Sequence, residues 1–274
     1  MLVAAYVMLA LILYFMQPMF LYSPIKGIPY TPAELGLDYE EVTFRTGDRL
    51  QLHGWFVPAA DSDFTVLYCH GNGGNMMFFL DTVNVLNRLG LSCFVFDYRG
   101  YGSSRGRPSE HGTYLDGRAA FRWLTKKKKV PPERIIIFGW SLGGSIAAYL
   151  ASRVKSAGLV IEGTFTSFAD IGSKFYPYMP VKWFARFGYP TIEYVRKVKC
   201  PVMVIHSRND EVIPFEFGLS LYDAANEPKE FIEIFGRHND AFMVSSDTYK
   251  KAWAKWLGAL RESSQQRSFN GLSS

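Results

Sequence analysis

From Asp63 onward, short apolar runs alternate with stretches of helical period. The runs are FTVLYCH, LSCFVFD, RIIIFGW, GLVIEG, PVMVIH and FIEIF, with helical patterns between them at Met76 to Leu89, Thr113 to Lys127 and Ser141 to Ser152. A strand that reads apolar on both sides is covered on both faces. The alternation therefore predicts an α/β fold with a mostly parallel sheet and helices on both faces. Ahead of it, EEVTFRT and LQLHGWFVP alternate polar with apolar around Gly47-Asp48. That pattern predicts an N-terminal antiparallel hairpin. Residues 245–261 read as a closing amphipathic helix, and 263–274 as a polar tail. One large domain over 39–262 is expected.

The first sixteen residues break the pattern. They are apolar without interruption, and after Gln17 and Pro18 the run resumes as Met19 to Tyr22, with Lys26 the first charge. Roughly twenty such residues cross a hydrocarbon core of ~30 Å. No Lys or Arg precedes the run and no small-residue cleavage site follows it, which argues against a signal peptide. An apolar surface all round also differs from a surface helix. The expectation is a single-pass transmembrane anchor over 1–22, membrane localisation, and a linker over 23–38 containing Pro24, Pro29 and Pro32. The short uncharged amino end leans the 39–262 domain toward the non-cytoplasmic face.

Composition narrows the classes further. The chain has 274 residues, 48% hydrophobic and 20% charged, which excludes widespread disorder. Its net charge of +5 is not gathered into a stripe interleaved with aromatics, so no nucleic-acid partner is expected. The one dense run, Lys126 to Lys129, precedes Val130-Pro131-Pro132 and reads as the last turn of a helix. Cys69, Cys93 and Cys200 each fall in or beside an apolar run and read as small core residues. They supply neither a disulfide framework nor a zinc spacing, and no metal or organic cofactor is expected.

Candidate chemistry centres on Ile135 to Gly144, an apolar strand followed by Gly139-Trp140-Ser141-Leu142-Gly143 and an Ala-rich helix. Glycines two before and two after a serine permit a sharp strand-to-helix turn that lifts the hydroxyl to the carboxyl edge of the sheet. A serine hydroxyl needs a base held in the correct tautomer. His238 lies between the last strand and the last helix, and Asp210 just beyond PVMVIH. Both follow strand carboxyl ends, on the edge that carries Ser141. Glu162, ending another strand, is an alternative acid.

With these motifs in place, residues 39–262 resemble the α/β-hydrolase superfamily. More narrowly, they resemble its small membrane-anchored esterase or lysophospholipase-like branch, related to serine aminopeptidases. His70-Gly71-Asn72-Gly73-Gly74-Asn75 is similar to that family's oxyanion turn, and Asp97 to Ser104 to its D-Y-R-G-x-G-x-S loop; Ser109 to Asp116 and Thr164 to Ser167 also match. The resemblance implies that the backbone N–H groups of Asn72 and Leu142 bind the tetrahedral oxyanion. It also implies hydrolysis of an ester, thioester or amide through an acyl-enzyme, on an acyl ester or lipid-like substrate. A serine peptidase and a non-catalytic tethered interaction protein are the alternatives. Oligomeric state is not legible.

Several residues carry two readings. The aromatic segment between Phe165 and Tyr194 reads as core and also as a small cap with an acyl wall, to which Trp183, Phe184 and Trp140 are assigned as substrate-binding residues. His111 to Asp116 fits an H-x-x-x-x-D acyltransferase pattern but lies at a helix start, where Asp116 suits the dipole. His70 is expected to shape the oxyanion turn, His206 to pack at a strand end, and Asp97 to fix the loop containing Arg99.

Overall fold

The computed structural model describes residues 2–271. Eight strands form the main sheet: β1 (Glu40–Arg45), β2 (Gln51–Val57), β3 (Thr65–Cys69), β4 (Ser92–Phe96), β5 (Ile135–Trp140), β6 (Gly158–Glu162), β7 (Val202–Ser207) and β8 (Lys229–Ile234). Their spatial order is β8-β7-β6-β5-β3-β4-β2-β1. All neighbours from β4 to β8 run parallel; β2 is antiparallel to both β1 and β4. The expected hairpin is thus the antiparallel edge of a parallel sheet.

Period-two alternation sorts the strand residues between two cores. Leu67, Ile137, Ile161 and Val204 face one side, under α3 (Glu110–Lys126), α4 (Leu142–Ala151), α7 (Thr191–Val195) and α8 (Phe215–Ala224). Val66, Ile136, Val160 and Met203 face the other, under α2 (Leu80–Arg88) and α10 (Ser246–Gly271). Trp253 and Trp256 of α10 lie deep in that second core, at 0% and 5% exposure. The closing helix continues ten residues past its expected end at residue 261, so its backbone takes in most of the expected tail; residues 272–274 of that tail lie outside the described residues.

The hairpin turn is tied to the body of the fold. Arg99 pairs with Asp48 of the turn at 2.9 Å and with Asp116 of α3 at 2.8 Å. Asp116 is fully buried in this arrangement, which explains the H-x-x-x-x-D coincidence as a structural carboxylate holding Arg99. Asp97 bonds the loop containing Arg99 through its carbonyl, which accepts the Ser104 hydroxyl at 2.8 Å, and its Oδ1 reaches a second segment by accepting the backbone N–H of Met76 at 2.8 Å.

The N-terminal run forms a helix, α1 (Leu2–Leu21). The expected transmembrane segment and membrane localisation are not borne out: among the described residues no helix is long and apolar enough to cross a membrane. The helix lies instead against the aromatic segment. The amide of Gln17 donates to the carbonyl of Phe184 at 2.9 Å, and its oxygen accepts the N–H of Arg186 at 2.8 Å. A polar side chain that finds both partners in protein marks one face of the helix as protein-facing. Beyond it, Ser23–Pro24 form a short parallel bridge with Gly73–Gly74.

Candidate active site

Ser141 occupies the turn between β5 and α4 with φ 55° and ψ −122°, a region that L residues rarely adopt. Two glycines make the turn possible. A Cβ on Gly139 would lie 2.2 Å from the carbonyl oxygen of Gly143, and one on Gly143 would lie 2.0 Å from that of Cys69. No larger residue fits either position without moving the backbone of β3 or α4. The turn is closed from β6, where the Ser141 N–H donates to the Glu162 carbonyl at 2.9 Å and the Thr164 hydroxyl donates to the Ser141 carbonyl at 3.1 Å.

His238 comes to this turn from the loop after β8. Its Nε2 lies 3.0 Å from the Ser141 Oγ and its Nδ1 lies 2.7 Å from Asp210 Oδ2. Asp210 is held in turn by its other oxygen, which accepts the N–H groups of Val212 and Ile213 at 2.9 and 2.7 Å. All three side chains are almost fully buried. Two further groups set the imidazole. Its own backbone N–H donates to the Glu211 carboxylate at 3.0 Å, and the Trp140 indole lies against the ring with centroids 4.7 Å apart. The Glu211 contact has no motif in the sequence; it needs the loops after β7 and β8 to meet.

Glu162, the alternative acid, turns to the other core. Its Oε2 accepts the Tyr249 hydroxyl at 2.9 Å. Burial pushes its carboxyl up to about 7, and the neighbouring charge of Asp210 adds to the rise while the Tyr249 bond opposes it. His206 is buried at the end of β7 with Nε2 bonded to the Ile213 carbonyl at 2.9 Å, and burial holds its pKa down.

The turn His70–Gly74 lies beside Ser141 and is held by tyrosines of the 97–104 loop. The Tyr98 hydroxyl donates to the His70 carbonyl at 3.0 Å and the Tyr101 hydroxyl to the Asn72 carbonyl at 2.8 Å. His70 is fully buried, stacks on Phe79, and is pushed down to about 4 by burial, so at neutral pH it is an uncharged packing group. The N–H of Leu142 is the first of α4, among those with no acceptor inside their own helix. Asn72, Ser141 and Leu142 line one cavity together.

Two cavities meet at Ser141. The first, of about 440 Å³, runs between α1 and the cap helices α5 (Phe168–Phe175) and α6 (Val181–Phe184). Its lining carries no charged side chain among the described residues. The second, of about 630 Å³, lies on the His238 side and includes Asp81, Thr82, Trp140, Glu162 and Asn239. Of the three expected wall residues, Phe184 lines the first cavity and Trp140 the second; Trp183 is 88% exposed and lines neither.

An eight-stranded sheet in this order, with a serine on a strained strand-to-helix turn, defines the α/β-hydrolase fold. The chain belongs to that family: residues 65–188 match the alpha/beta hydrolase fold, and relatives extend the likeness over most of its length. It is 38% identical over 245 residues to the uncharacterized protein Rv2307c of Mycobacterium tuberculosis, covering 88% of this chain and 87% of the other. It is 31% identical over 271 residues to the alpha/beta hydrolase domain-containing protein WAV2 of Arabidopsis thaliana, again covering 88% and 87%. Among solved structures it resembles the esterase Pf2001 of Pyrococcus furiosus, with a TM-score of 0.72 at 22% identity, covering 88% of this chain and 98% of that one. At that identity the likeness speaks for the fold.

Proposed function

We propose that the chain is a serine hydrolase that cleaves the ester, thioester or amide of an apolar carboxylic acid through an acyl-enzyme. The observation that carries this reading is the line from Ser141 Oγ through His238 to Asp210, at 3.0 and 2.7 Å, at the mouth of an uncharged cavity. In this reading Ser141 Oγ attacks the acyl carbon while His238 Nε2 takes the hydroxyl proton. Asp210 holds Nδ1–H, fixing the tautomer and stabilising the imidazolium. The N–H groups of Asn72 and Leu142 receive the oxyanion. His238 then returns the proton to the departing alcohol, thiol or amine, which leaves through the more polar second cavity. Water, activated by the same imidazole, releases the acid from Ser141.

The test is covalent labelling by a fluorophosphonate, followed by mass spectrometry. The wild-type protein is expected to label at Ser141 and to hydrolyse simple esters. Ser141→Ala is expected to lose both without a change in circular dichroism. Labelling on another serine overturns the assignment.

A further inference from the structure

The cavity at Ser141 has an unusual far wall. Ala10, Leu13, Tyr14, Gln17 and Leu21 of α1 all line it. They recur at helical spacing, so one face of the N-terminal helix borders the cavity from Ala10 to Leu21, while Met8, Leu11, Ile12 and Phe15 point elsewhere and are exposed. Eleven steps from Ala10 to Leu21 at ~1.5 Å each span roughly 16 Å. The Leu21 end is the one at the chemistry, because Ser23 N–H donates to the carbonyl of Asn72 at 3.1 Å.

The helix is fastened by polar contacts. At its inner end the Tyr22 hydroxyl meets that of Tyr189 at 2.7 Å, and Tyr189 meets the Thr113 hydroxyl at 2.9 Å. Midway is the Gln17 clasp on the backbone at Phe184 and Arg186. At its outer part the Tyr6 hydroxyl donates to the Tyr178 carbonyl at 3.3 Å. These bonds fix the helix while about 440 Å³ between it and the cap stays unfilled by protein. Protein interiors are ordinarily close-packed, and an apolar void leaves its lining without partner atoms. A bordered, uncharged space that opens on a nucleophile is shaped for an apolar ligand.

We propose that α1 is the length-measuring wall of an acyl-chain site, taking an unbranched fatty acyl group that lies antiparallel to the helix from Leu21 toward Ala10. The inference rests on the serine-hydrolase reading above. A polypeptide advances ~3.3–3.6 Å over three backbone bonds, or ~1.2 Å per bond, so roughly 16 Å takes an acyl chain of about a dozen carbons. The absence of a charged lining residue among the described residues disfavours acyl groups that end in a carboxylate or an ammonium.

The experiment uses the purified full chain and p-nitrophenyl esters from acetyl to hexadecanoyl. Wild-type kcat/KM is expected to climb to about dodecanoyl and then level. Ala10→Trp and Leu13→Trp, which fill the outer cavity, are expected to lower the dodecanoyl-to-butanoyl ratio by at least about tenfold, since each excluded carbon costs about fourfold. Tyr14→Ala, which widens it, is expected to raise the hexadecanoyl-to-dodecanoyl ratio, so the proposal stays testable if a tryptophan variant misfolds. Ile12→Trp, on the exposed face, is expected to leave both ratios unchanged. Wild-type ratios in the lining variants, or an equal shift in Ile12→Trp, overturn the wall. A wild-type protein that labels with fluorophosphonate but shows no chain-length dependence also overturns only the wall. One that neither labels nor hydrolyses any ester overturns the serine-hydrolase reading itself.

Discussion

The hydroxyl of Tyr249 donates to Glu162 Oε2 at 2.9 Å, and so the second carboxylate at the active edge is committed to the closing helix. Asp210, at 2.7 Å from His238 Nδ1, is the acid in position to orient the base. Asp210→Asn is therefore expected to lower kcat by up to ~10⁴, the loss seen when a buried triad carboxylate is neutralised. Glu162→Gln is expected to change kcat only a few-fold. Steady-state kinetics on a soluble ester decides it, and the reverse ranking transfers the role to Glu162.

The same carboxyl shapes the pH dependence of stability. Its folded pKa is about 7 against an ordinary value of 4.5. Between those values the folded state holds more protons than the unfolded one, so this contribution is complete below the ordinary value and lost as pH rises toward the folded one. The most it can supply is about 3 kcal/mol. Glu162→Gln is expected to flatten the fall in Tm between pH 5 and 7.5, measured by calorimetry. A variant with the wild-type slope would mean that another group carries the effect.

Arg99 has two carboxylate partners of different burial. Asp116 has 0% side-chain exposure and Asp48 has 40%. Asp116→Ala leaves a buried guanidinium half-compensated and is expected to cost about 3–5 kcal/mol in urea unfolding. Asp48→Ala, at the wetter end, is expected to cost about 1 kcal/mol or less. Equal losses would show that the hairpin turn holds Arg99 as firmly as α3 does.

At the Ser141 turn, Gly143→Ala puts a methyl 2.0 Å from the Cys69 carbonyl oxygen. The backbone must shift, and loss of Ser141 labelling with a lower Tm is expected. Gly258→Ala, in α10 with nothing within 4 Å of the new methyl, is expected to raise stability by up to ~1 kcal/mol through helix propensity. A labelled, stable Gly143→Ala protein would remove the steric argument for the motif.

Neighbouring aromatics in the cap separate cleanly. Phe184 lines the first cavity, while Trp183 is 88% exposed. Phe184→Ser is expected to flatten the chain-length profile and Trp183→Ser to leave it unchanged. The opposite result would place the indole, rather than the phenyl ring, against substrate.

The centre of the sheet was legible because its parallel strands are apolar on both faces while most of the helices between them alternate, a contrast that survives in a linear reading. Ser141, His238 and Asp210 were legible because each follows a strand end, and parallel strands gather those ends on one edge. Glu211 and Tyr249 were not. Their partners lie 27 and 87 residues away, and an ordinary Glu or Tyr in the sequence carries no sign of either. The first helix was misread for a related reason. An apolar surface does not distinguish lipid from a protein cavity, and the groups that hold Gln17 are backbone atoms near Phe184 and Arg186, which have no signature in the sequence.

The contact between Ser141 and His238 joins residues 97 positions apart, across a sheet in which β6, β7 and β8 must all have taken their places. In the serine-hydrolase reading, the reactivity of one hydroxyl is then a readout of assembly. On that reading, a stoichiometric covalent probe at Ser141 would count the molecules whose chain has closed from the Ser141 turn to the last loop. In a partly denatured or freshly synthesised population, the labelled fraction would then measure the yield of native protein directly.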